Sequence, residues 1–542
     1  MTFAATLCIV VCIEYSQYGA AMHVRVRRNK TGTTSVFVVA CKRVKGKKNP
    51  QPLLVKTFGT SKDPKVIKKL YNEAQLFSSR NKYVPSLRIY NDSDIESSEI
   101  KNIGLEQVYG TILNQRFKLE DLELGASNTT VLRELILMRI AEPVSKLKTS
   151  ELAAEFNCNN LSLNKIYKSM DKLTDSRITK IKQQIFSNTK KLLATDSLSV
   201  LFYDLTSIYF ENNNTSELKM LGYSKDGKNQ HVQINLALVV TKSGLPIDYE
   251  IFSGNTYEGK TLLPVLLKLR ESYGIQDVTI VADSAMLSKS NIAELSAHGF
   301  NYIMAARVKN LNKTIATQML SQENYIQLNE DLCYKTMDLN NIQLIACRSK
   351  KRAVKDDYER KVTVKRMGKY LGKSAKKTLR GSLKKPYVKL TADSAITLDL
   401  EQLENSKRFD GFFGFYTNTD LPPSAVIEQY RGLWQVEETF RITKHNLAIR
   451  PVYHYKDRRI LAHFAVCFLA LAVARTTEFL LLQNNLKISS EKLHQLLQQV
   501  NHIRVINKKQ CFLITPPIPA ELQEIYSALN IPKPKVFTSN IA

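Results

Sequence analysis

The chain has 542 residues, which is enough for two to four domains that each bury a core. It carries 78 Lys and Arg against 50 Asp and Glu, so its formal net charge is +28. Basic surface gains affinity by releasing counterions from phosphates, so this excess favours a polyanionic partner and does not constrain the fold. No segment is expected to reach the length of a bilayer span. The most apolar candidate, residues 460–482, includes Arg475 and Glu478 and is interpreted as a buried helix.

The cysteines and the first residues restrict the class of protein further. The eight cysteines are scattered without the spacing of a zinc site, so we expect reduced thiols in a cytoplasmic protein. Residues 1–21 contain an apolar run that no basic segment precedes, which argues against a secretion signal. We expect Met22 to be the true start and residues 1–21 to be a misassigned leader.

Residues 22–110 are predicted to form an α+β region. Polar and apolar residues alternate between His23 and Phe58, which is typical of hairpin strands, and helical periodicity follows in residues 64–78. Residues 111–195 are predicted to be helical, with tight joins between short helices. Such an arrangement is compatible with a helix-turn-helix that binds a DNA end, and an ordinary helical linker domain is the alternative.

Residues 196–306 show the pattern of a mixed α/β sheet. Apolar runs that begin at Leu198 predict three strands, and Asn255 with Glu258 three residues later forms a capping box that opens a helix. The run VTIVAD is typical of a strand that is buried on both faces, and a helix and another strand follow it. The order β-β-β-α-β-α-β is the plan of the ribonuclease-H-like nucleases. The fold class is therefore α/β, with a ribonuclease-H-like core that resumes in residues 416–480.

Residues 307–415 interrupt this core and are predicted to be a basic, β-rich insertion. From Arg348 to Lys385 the sequence contains sixteen Lys or Arg and three acidic residues. A charge run is usually a solvated surface or a loop, but its position inside a nuclease core favours contacts with DNA phosphates. After the core, residues 481–542 are predicted to be a helical tail. The candidate phosphate contacts in the insertion are Lys365, Lys376 and Lys377.

Two aspartates close apolar strands of the predicted core. Asp204 ends the run LFYD and Asp283 ends TIVAD, 79 positions later, which fits the first and fourth strands of one sheet. Neighbouring parallel strands would bring these carboxylates together, although either residue alone would be unremarkable as a cap or turn former. Hard divalent cations prefer carboxylate oxygens, and two Mg²⁺ ions about 3.5–4 Å apart can serve phosphodiester cleavage.

The third carboxylate is expected on a later helix, within YRGLWQVEETFRITK. At 100° per residue, Tyr430, Glu437, Arg441 and Lys444 fall within about 40° of one line along a helix. Glu438 lies about 100° further round, towards solvent. We therefore choose Glu437 as the ligand, and the alternative is a surface stripe of salt pairs.

These residues resemble the DDE transposases of bacterial insertion sequences, in the IS-four-like superfamily with its Tyr-Arg-Glu-Lys signature. Tyr430, Glu437 and Lys444 match the signature spacing. Leu433 stands at the Arg position, which is a departure from the signature. The stretches GYSKDGKNQHVQINLALVVTKSGLPIDYEIFSGNTYEGKT, RFDGFFGFYTNT and RPVYHYKDRRILAH look like the IS-sixteen-thirty-four-type branch, and the resemblance covers roughly residues 22–500. The basic residues that could replace the missing contact are Arg431 and Arg441.

The resemblance implies a cut-and-paste transposase with Asp204, Asp283 and Glu437 as catalytic and metal-binding residues. It implies two Mg²⁺ ions, for which Mn²⁺ can substitute, and phosphate contacts from Tyr430 and Lys444. The implied partner is double-stranded DNA, both terminal inverted repeats and target, bound by a homodimer or a larger synaptic assembly without a membrane. The implied location is the bacterial cytoplasm, in association with the nucleoid.

Other interpretations remain open at this point. A nuclease with the same fold would hydrolyse DNA without joining strands. A DNA-binding protein derived from a transposase would bind DNA but would have lost its catalytic activity. The intact set of three acids argues against the second alternative. Trp434, the single tryptophan, is interpreted as packing beside an apolar stripe of its helix, while His454 and His463 are interpreted as core or surface residues.

Overall fold

The structure is a computed structural model of the chain. It describes residues 12–15, 23–29, 32–42, 51–80, 85–88, 97–193, 198–211, 214–223, 230–286, 288–321, 323–339, 342–371, 387–390, 396–447, 449–450, 452–507 and 510–541.

The helices of the described residues are numbered in chain order. They are α1 Pro64–Arg80, α2 Thr111–Arg116, α3 Ala126–Ala141, α4 Lys146–Leu152, α5 Leu163–Asp171, α6 Asp175–Leu193, α7 Leu262–Tyr273, α8 Lys289–Ala297, α9 Lys313–Leu320, α10 Lys350–Met367, α11 Leu400–Lys407, α12 Pro423–Arg431, α13 Trp434–Arg441, α14 Asp457–Gln483, α15 Ser490–Leu497 and α16 Ala520–Ala528. A π-helical segment, Ile442–Asn446, continues α13.

The strands of the described residues are numbered in the same way. They are β1 Cys12–Tyr15, β2 His23–Arg28, β3 Thr34–Lys42, β4 Gln51–Ser61, β5 Pro85–Arg88, β6 Ser97–Asn102, β7 Val200–Tyr209, β8 Met220–Leu221, β9 Val232–Thr241, β10 Pro246–Ser253, β11 Thr279–Ala282, β12 Asn301–Ala305, β13 Ile326–Gln327, β14 Leu332–Asp338, β15 Gln343–Ser349, β16 Val388–Leu390, β17 Ile396–Leu398, β18 Phe412–Thr417, β19 Asn501–Asn507, β20 Gln510–Ile514 and β21 Phe537–Ile541.

The chain divides into two compact units, of which the first comprises Met1–Gly104, Gln495–Ser527 and Pro532–Ala542. Here β2, β3 and β4 form an antiparallel sheet whose buried Val36 and Val38 form a small core cluster with Ala74 of α1. The alternating strands and the helix predicted after them are thus present. A second sheet, in the order β21-β20-β19-β6, takes three of its strands from the end of the chain. The prediction of a purely helical tail was therefore wrong.

The second unit comprises Leu105–His494 and Ala528–Ile531, and its main sheet contains the predicted core. The strands run in the order β10-β9-β7-β11-β12. β9 pairs antiparallel with β7 and β10, whereas β11 is parallel to both β7 and β12. Counted in chain order from β7, this is the order 3-2-1-4-5 of a ribonuclease-H-like core, so the predicted fold class is confirmed.

Burial explains why these segments form the centre of the sheet. All ten residues of β9 and all four residues of β11 are buried, and such runs of branched apolar side chains suit strands that are covered on both faces. One covering layer includes α7, whose Leu262, Val265 and Leu266 belong to the same core cluster as Tyr203 of β7. The Tyr203 hydroxyl donates to Oγ1 of Thr261 at 2.7 Å, which fixes the strand against the start of that helix.

The predicted insertion is not a separate β-rich domain. After β12, the strands β18, β15, β14 and β13 extend the core sheet in that order, with β18 paired to both β12 and β15. The segment also contains the helices α9, α10 and α11, so it is mixed rather than β-rich. The prediction failed because short apolar strands show that a sheet forms but do not show which sheet they join.

The long apolar helix α14 needs separate consideration. It is long and apolar enough to span a membrane, so the expectation that no segment reaches that length was wrong. However, 72% of its most apolar window is buried within the protein, and its Phe468 ring packs against Tyr249 of β10 at 4.6 Å. The interpretation of residues 460–482 as a buried core helix is confirmed.

The helices predicted in residues 111–195 are present as α2 to α6. Ser145 caps α4 and Ser162 caps α5, since each side chain accepts a hydrogen bond from the backbone three residues later. Glu134 of α3 accepts from the backbone and side-chain nitrogens of Asn160, which fixes the join between α4 and α5. A role of these helices in binding a DNA end stays a prediction.

Candidate active site

Two aspartates lie side by side at the centre of the core sheet. β7 and β11 are parallel, and Tyr203 of β7 pairs with Ala282 of β11. Asp204 and Asp283 directly follow these two paired residues. The predicted convergence of the two strands is therefore observed. One detail differs, because β7 continues to Tyr209 and Asp204 lies in the middle of its strand rather than at its end.

The backbone next to each aspartate holds one of its carboxylate oxygens. Oδ1 of Asp204 accepts from the Leu205 amide at 2.7 Å, and Oδ1 of Asp283 accepts from the Ser284 amide at 2.6 Å. Asp283 is exposed and Asp204 is half-buried. Both side chains thus stand at an open surface of an otherwise buried sheet, where their charge can meet a cation or a substrate.

The third acid reaches the same place from a broken helix. α12 ends at Arg431, and α13 begins at Trp434 after a turn at Gly432. A Cβ at Gly432 would lie 2.6 Å from the Phe202 ring of β7, so only glycine allows this close approach to the strand. Glu437, in the first turn of α13, is thereby brought over the sheet.

The three acids line one cavity of 280 Å³. Its other lining residues are Leu205, Thr206, Ser207, Leu433 and Lys444. Asp204, Asp283 and Glu437, which were chosen from sequence spacing and helical phase, therefore share a single site.

Glu438 and Arg441 take no part in that cavity. The guanidinium of Arg441 donates to both carboxylate oxygens of Glu438, at 2.7 and 2.8 Å, and to Glu491 at 3.0 Å. This pairing keeps the pKa of Glu438 below its ordinary value. The expectation that Glu438 points to solvent was wrong, since Glu438 is half-buried. Arg441, four residues after Glu437 on the same helix, pairs with Glu438 instead of lining the cavity.

Tyr430 lies within the electrostatic reach of all three acids. Burial raises the pKa of its phenol, and the nearby charges of Asp283, Glu437 and Asp204 raise it further. Its ring packs against Phe415 of β18 at 4.4 Å. Tyr430 is therefore a fixed, protonated hydroxyl beside the acids, which suits it to donate a hydrogen bond to a phosphate oxygen.

Lys444 and Leu433 face the acids from the same segment of chain. Lys444, in the π-helical segment, lines the cavity and lies with its Nζ 5.9 Å from the centre of the Phe440 ring. Single π-helical turns are frequent at functional sites, and this one carries the basic side chain of Lys444. Leu433, at the signature Arg position, also lines the cavity, so the departure from the signature falls within the site itself.

The remaining predicted DNA contacts lie outside the cavity. Arg431 is exposed at the end of α12, and Lys365 is exposed on α10. Lys376 and Lys377 fall outside the described residues.

Sequence reasoning missed three polar groups at the site. Thr206 and Ser207 line the cavity, and Ser207 donates to Oδ1 of Asn235 on β9 at 2.9 Å. Their proximity to Asp204 along one strand was the available signal. Arg352, on α10, lowers the pKa of Tyr430 by its charge and stacks 4.9 Å over the Phe413 ring. Its position could not be predicted, because it depends on the insertion joining the core sheet.

Trp434 is more exposed than its predicted packing role allows. Its side chain is 55% exposed, although it follows Leu433 directly and precedes Glu437 by three residues. The interpretation of Trp434 as a packing residue beside the apolar stripe was wrong. The single tryptophan of the chain is instead an open aromatic surface near the acids.

The donor chemistry of the cavity fits a hard divalent cation. Three carboxylates line it, and the other polar lining groups are hydroxyls and one lysine. In the part of the chain that the structure describes, the carboxylates do not converge into a three-ligand cluster. Two of the acids accept a hydrogen bond from the backbone amide of the next residue.

A ribonuclease-H-like sheet that presents three acids in one cavity defines a phosphoryl-transfer enzyme. Comparison with known families gives the same class, since the model of the transposase DDE domain family matches residues 195–473. The matched range begins just before β7 and ends within α14, and it includes all three acids. No curated protein matches the chain.

Two solved structures are similar to parts of the chain. A piggyBac transposase synaptic complex with hairpin DNA aligns at 9% identity and a TM-score of 0.39, covering 73% of this chain and 79% of that one. A Mos1 transposase paired-end complex with the left transposon end aligns at 11% identity and a TM-score of 0.15, covering 34% of this chain and 58% of that one.

The family match covers more than half of the chain, so this protein belongs to the DDE transposase family. It is an enzyme of DNA transposition that cleaves DNA and transfers strands. Enzymes of this family are generally dependent on divalent metal ions.

Proposed function

We propose that this transposase excises an insertion sequence at its terminal inverted repeats and joins it to target DNA by a cut-and-paste route. The observation that carries the proposal is the in-register pair of Asp204 and Asp283, with Glu437 lining the same cavity. We also propose that the enzyme belongs to the IS-four-like superfamily, in the IS-sixteen-thirty-four-type branch. Support comes from Tyr430 and Lys444, which lie beside the acids as the signature implies.

The proposed cofactor is a pair of Mg²⁺ ions, for which Mn²⁺ can substitute. Asp204, Asp283 and Glu437 would hold them, and the ions would polarise the phosphoryl oxygen and stabilise the developing charge. The protein supplies the rest from fixed positions. Tyr430 donates a hydrogen bond to a phosphate oxygen, and Lys444 adds a point charge at the wall of the cavity.

We propose that Arg352 provides the guanidinium that the signature places at position 433. Leu433 closes that side of the cavity with an apolar wall, while the charge of Arg352 acts on Tyr430 from α10. Arg441 is committed to two carboxylates, which makes it a poor substitute. Arg431 is exposed at the end of α12 and is placed to contact DNA outside the cavity only.

The basic part of the insertion is proposed to follow the DNA backbone away from the acids. Lys365 is exposed on α10, the same helix that carries Arg352, and Lys376 and Lys377 follow in sequence. α10 directly follows β15 of the core sheet and bears many Lys and Arg. Contacts between these side chains and DNA phosphates would release counterions and so strengthen binding next to the site.

The assembly and location are also proposals. Coordinated excision requires both ends of the element to be held together, which a homodimer or a larger synaptic assembly on double-stranded DNA provides. The charge of +28 supports association with DNA, here the bacterial nucleoid in the cytoplasm, without a membrane. Among the described cysteines, Cys158, Cys333, Cys347 and Cys467 are free thiols, which suits a reducing compartment.

Strand transfer tests the proposal against a hydrolytic nuclease on the same fold. The substrate is a pre-cleaved end that carries the inverted repeat flanking the coding region, mixed with a supercoiled plasmid and Mg²⁺. We expect covalent joining of the end to the plasmid, resolved as a slower band on a denaturing gel. The matched control is the same end with a 3′-dideoxy terminus, which cannot attack. Plasmid nicking without any joined product would identify a nuclease and overturn the proposal.

The exposure of Trp434 gives a second test of where DNA binds. DNA in the active site should cover the indole, lower its emission and protect it from acrylamide. Because base–aromatic stacking contributes about 1–3 kcal/mol, Trp434→Ala should weaken DNA binding by roughly tenfold to a hundredfold. Trp434→Phe, which keeps an aromatic ring, should bind almost normally. Emission that stays constant at saturating DNA would place the DNA elsewhere.

A further inference from the structure

A second cavity, apart from the three acids, is lined by basic groups. Its volume is 510 Å³, and its walls come from α3, α4, α5, α14 and the loop residues Arg450, Tyr453 and His454. Four of its lining residues belong to the motif RPVYHYKDRRILAH, to which the catalytic site assigns no role. The ionisable groups that line this cavity are Arg139, Lys146, Lys148, Arg450, His454 and His463, with Tyr167 and Tyr453.

The basic side chains are deeply placed rather than spread over a surface. Arg139, Lys146, His454 and His463 are all buried. Lys146 Nζ lies 3.4 Å from Nδ1 of His463, and Nε2 of His463 lies 3.1 Å from the Ile449 carbonyl. The simplest proton arrangement has Lys146 donating to Nδ1 and the histidine donating to the carbonyl. Burying a lysine, an arginine and two histidines around one cavity costs desolvation free energy.

These groups lower each other's affinity for protons. Burial lowers the pKa of Lys146 and of His463, and the charge of Arg139 lowers both further. Burial and the charges of Lys146, Arg459 and Arg139 lower the pKa of His454 to about 3. A bound anion would raise these pKa values again, because a nearby negative charge favours the protonated forms of the bases.

Asp171 and Cys467 each raise the pKa of a base in this cavity. Asp171, which raises the pKa of His454 slightly, accepts two hydrogen bonds from Arg459 at 2.7 Å. The Cys467 thiol, 3.6 Å from Nε2 of His463, is the other titratable group on α14 at this point. Among the described lining residues no carboxylate is present.

The cavity is connected to the catalytic site through the chain itself. Lys444, which lines the catalytic cavity, is followed by Leu447, whose carbonyl accepts from Arg139 at 3.5 Å. Arg450 places its guanidinium 5.3 Å over the ring of Tyr209, the last residue of the strand that holds Asp204. Both cavities therefore lie along one strand and one connecting segment.

The mouth of the cavity adds aromatic surface. Tyr453, which lines it, is 57% exposed, and Tyr455, two residues further on, is 66% exposed. Exposed aromatic rings beside basic groups are the usual elements of a surface that binds single-stranded nucleic acid.

We propose that this second cavity is a binding subsite for a backbone phosphate of DNA, held by Lys146, Arg139 and His454. The inference rests on the proposed function, because it takes DNA as the polyanion that the enzyme handles. The phosphate enters beside the exposed Tyr453 and accepts charge-assisted hydrogen bonds from the buried bases. Its role is to hold the strand at a fixed distance from the acids.

The test uses the full-length protein in a chelator, so that no divalent ion occupies the acids. Calorimetric titration with inorganic pyrophosphate reports on the cavity, and a short oligo(dT) is then added as competitor. We expect both to bind and oligo(dT) to displace pyrophosphate. Binding should take up protons near neutral pH, because an anion raises the pKa values of the surrounding bases; buffers of different ionisation enthalpy measure this uptake.

Two variants probe the buried bases separately. Lys146→Met and His454→Gln should each weaken pyrophosphate and oligo(dT) binding by about tenfold or more, the loss of one charged hydrogen bond, and should reduce the proton uptake. Lys165→Gln, which removes a charge from the exposed surface of α5, should change neither by more than about twofold. Thermal melting establishes that each variant is folded, and His454→Gln carries the test if Lys146→Met is not.

Two results would overturn the subsite. Unchanged affinities and proton uptake in a folded variant would mean that the bases only fill the interior. Pyrophosphate that oligo(dT) cannot displace would mean that the cavity takes a free phosphate and not DNA. Neither result bears on strand transfer, which is measured with Mg²⁺ and depends on Asp204. Failure of the subsite and failure of the proposed function are thus distinguishable.

Discussion

Replacing Asp204 with asparagine is expected to lower the rates of DNA cleavage and strand transfer by about a thousandfold or more. The carboxylate lies on the central strand next to Asp283, and its loss removes a charged oxygen that the proposed metal ions need. Several kcal/mol of transition-state stabilisation correspond to about three factors of ten in rate. Initial rates on a labelled end in Mg²⁺ measure the effect.

The neighbouring acid on α13 provides the control for that experiment. Glu438→Gln removes a carboxylate one position from Glu437, but Glu438 is paired with Arg441 and does not line the cavity. Its activity should stay within about threefold of the wild type, because it loses a partly exposed ion pair. Asp204→Asn keeps a side-chain oxygen that can accept from the Leu205 amide, so this variant should melt normally. Unchanged cleavage by Asp204→Asn would remove this residue from the catalytic set.

Replacing Lys182 with methionine is expected to destabilise the second unit by about 3–5 kcal/mol near neutral pH. Lys182 of α6 is buried and places its Nζ 3.0 Å from Oδ1 of Asp248 on β10. Methionine fills a similar volume but leaves the buried aspartate without its cation. Chemical denaturation followed by circular dichroism measures the loss. Glu250 also pairs with Lys182, and in the variant it keeps its other ion pair, with Lys268 at 2.6 Å.

The loss should depend on pH in a definite direction. Burial raises the pKa of Asp248, and the charge of Lys182 opposes that rise, so the pKa must rise further in the variant. A group whose folded pKa exceeds its unfolded value favours folding below the unfolded pKa, and this contribution is lost as the pH rises through the folded pKa. Lys182→Met should therefore be more destabilising at about pH 8 than at about pH 5.

A double variant isolates the buried charge as the cause. Adding Asp248→Asn to Lys182→Met removes the uncompensated carboxylate and should recover most of the lost stability and remove its pH dependence. The asparagine oxygen can accept from the Tyr249 amide, as Oδ1 of Asp248 does at 2.7 Å, and its amide nitrogen can donate to the Tyr273 hydroxyl oxygen, which now donates to Oδ2 at 3.1 Å. If the double variant is no more stable than Lys182→Met alone, the loss comes from packing and not from charge.

The positions of the two aspartates could be predicted because local patterns determine them. A buried strand such as β11 has a short run of apolar residues as its sequence pattern, and a polar residue that ends such a run is easily recognised. In the strand order of this fold, the strands that carry Asp204 and Asp283 are parallel neighbours, so the two carboxylates are expected to lie side by side. Glu437 was preferred to Glu438, and of the two only Glu437 lines the cavity. The helical phase was counted from Tyr430 along one regular helix, whereas α12 ends at Arg431 and α13 begins at Trp434.

Features that depend on distant pairing could not be predicted. The approach of Arg352 to Tyr430 requires β15 and β18 to join the core sheet, and no local pattern around residue 352 specifies that partner. The strands near the end of the chain pair with β6, about 400 residues earlier in the sequence. The buried bases of the second cavity were missed for the same reason, since Lys146 and His463 meet only when α4 and α14 pack.

The pairing of β18 with both β12 and β15 means that the core sheet can be completed only late in synthesis of the chain. The core sheet has an open edge at β12 until Phe412–Thr417 has been made, and an uncovered strand edge invites wrong partners. Glu437 lies on a helix that follows this strand in the chain. A nascent chain therefore carries both aspartates long before it can form a competent site.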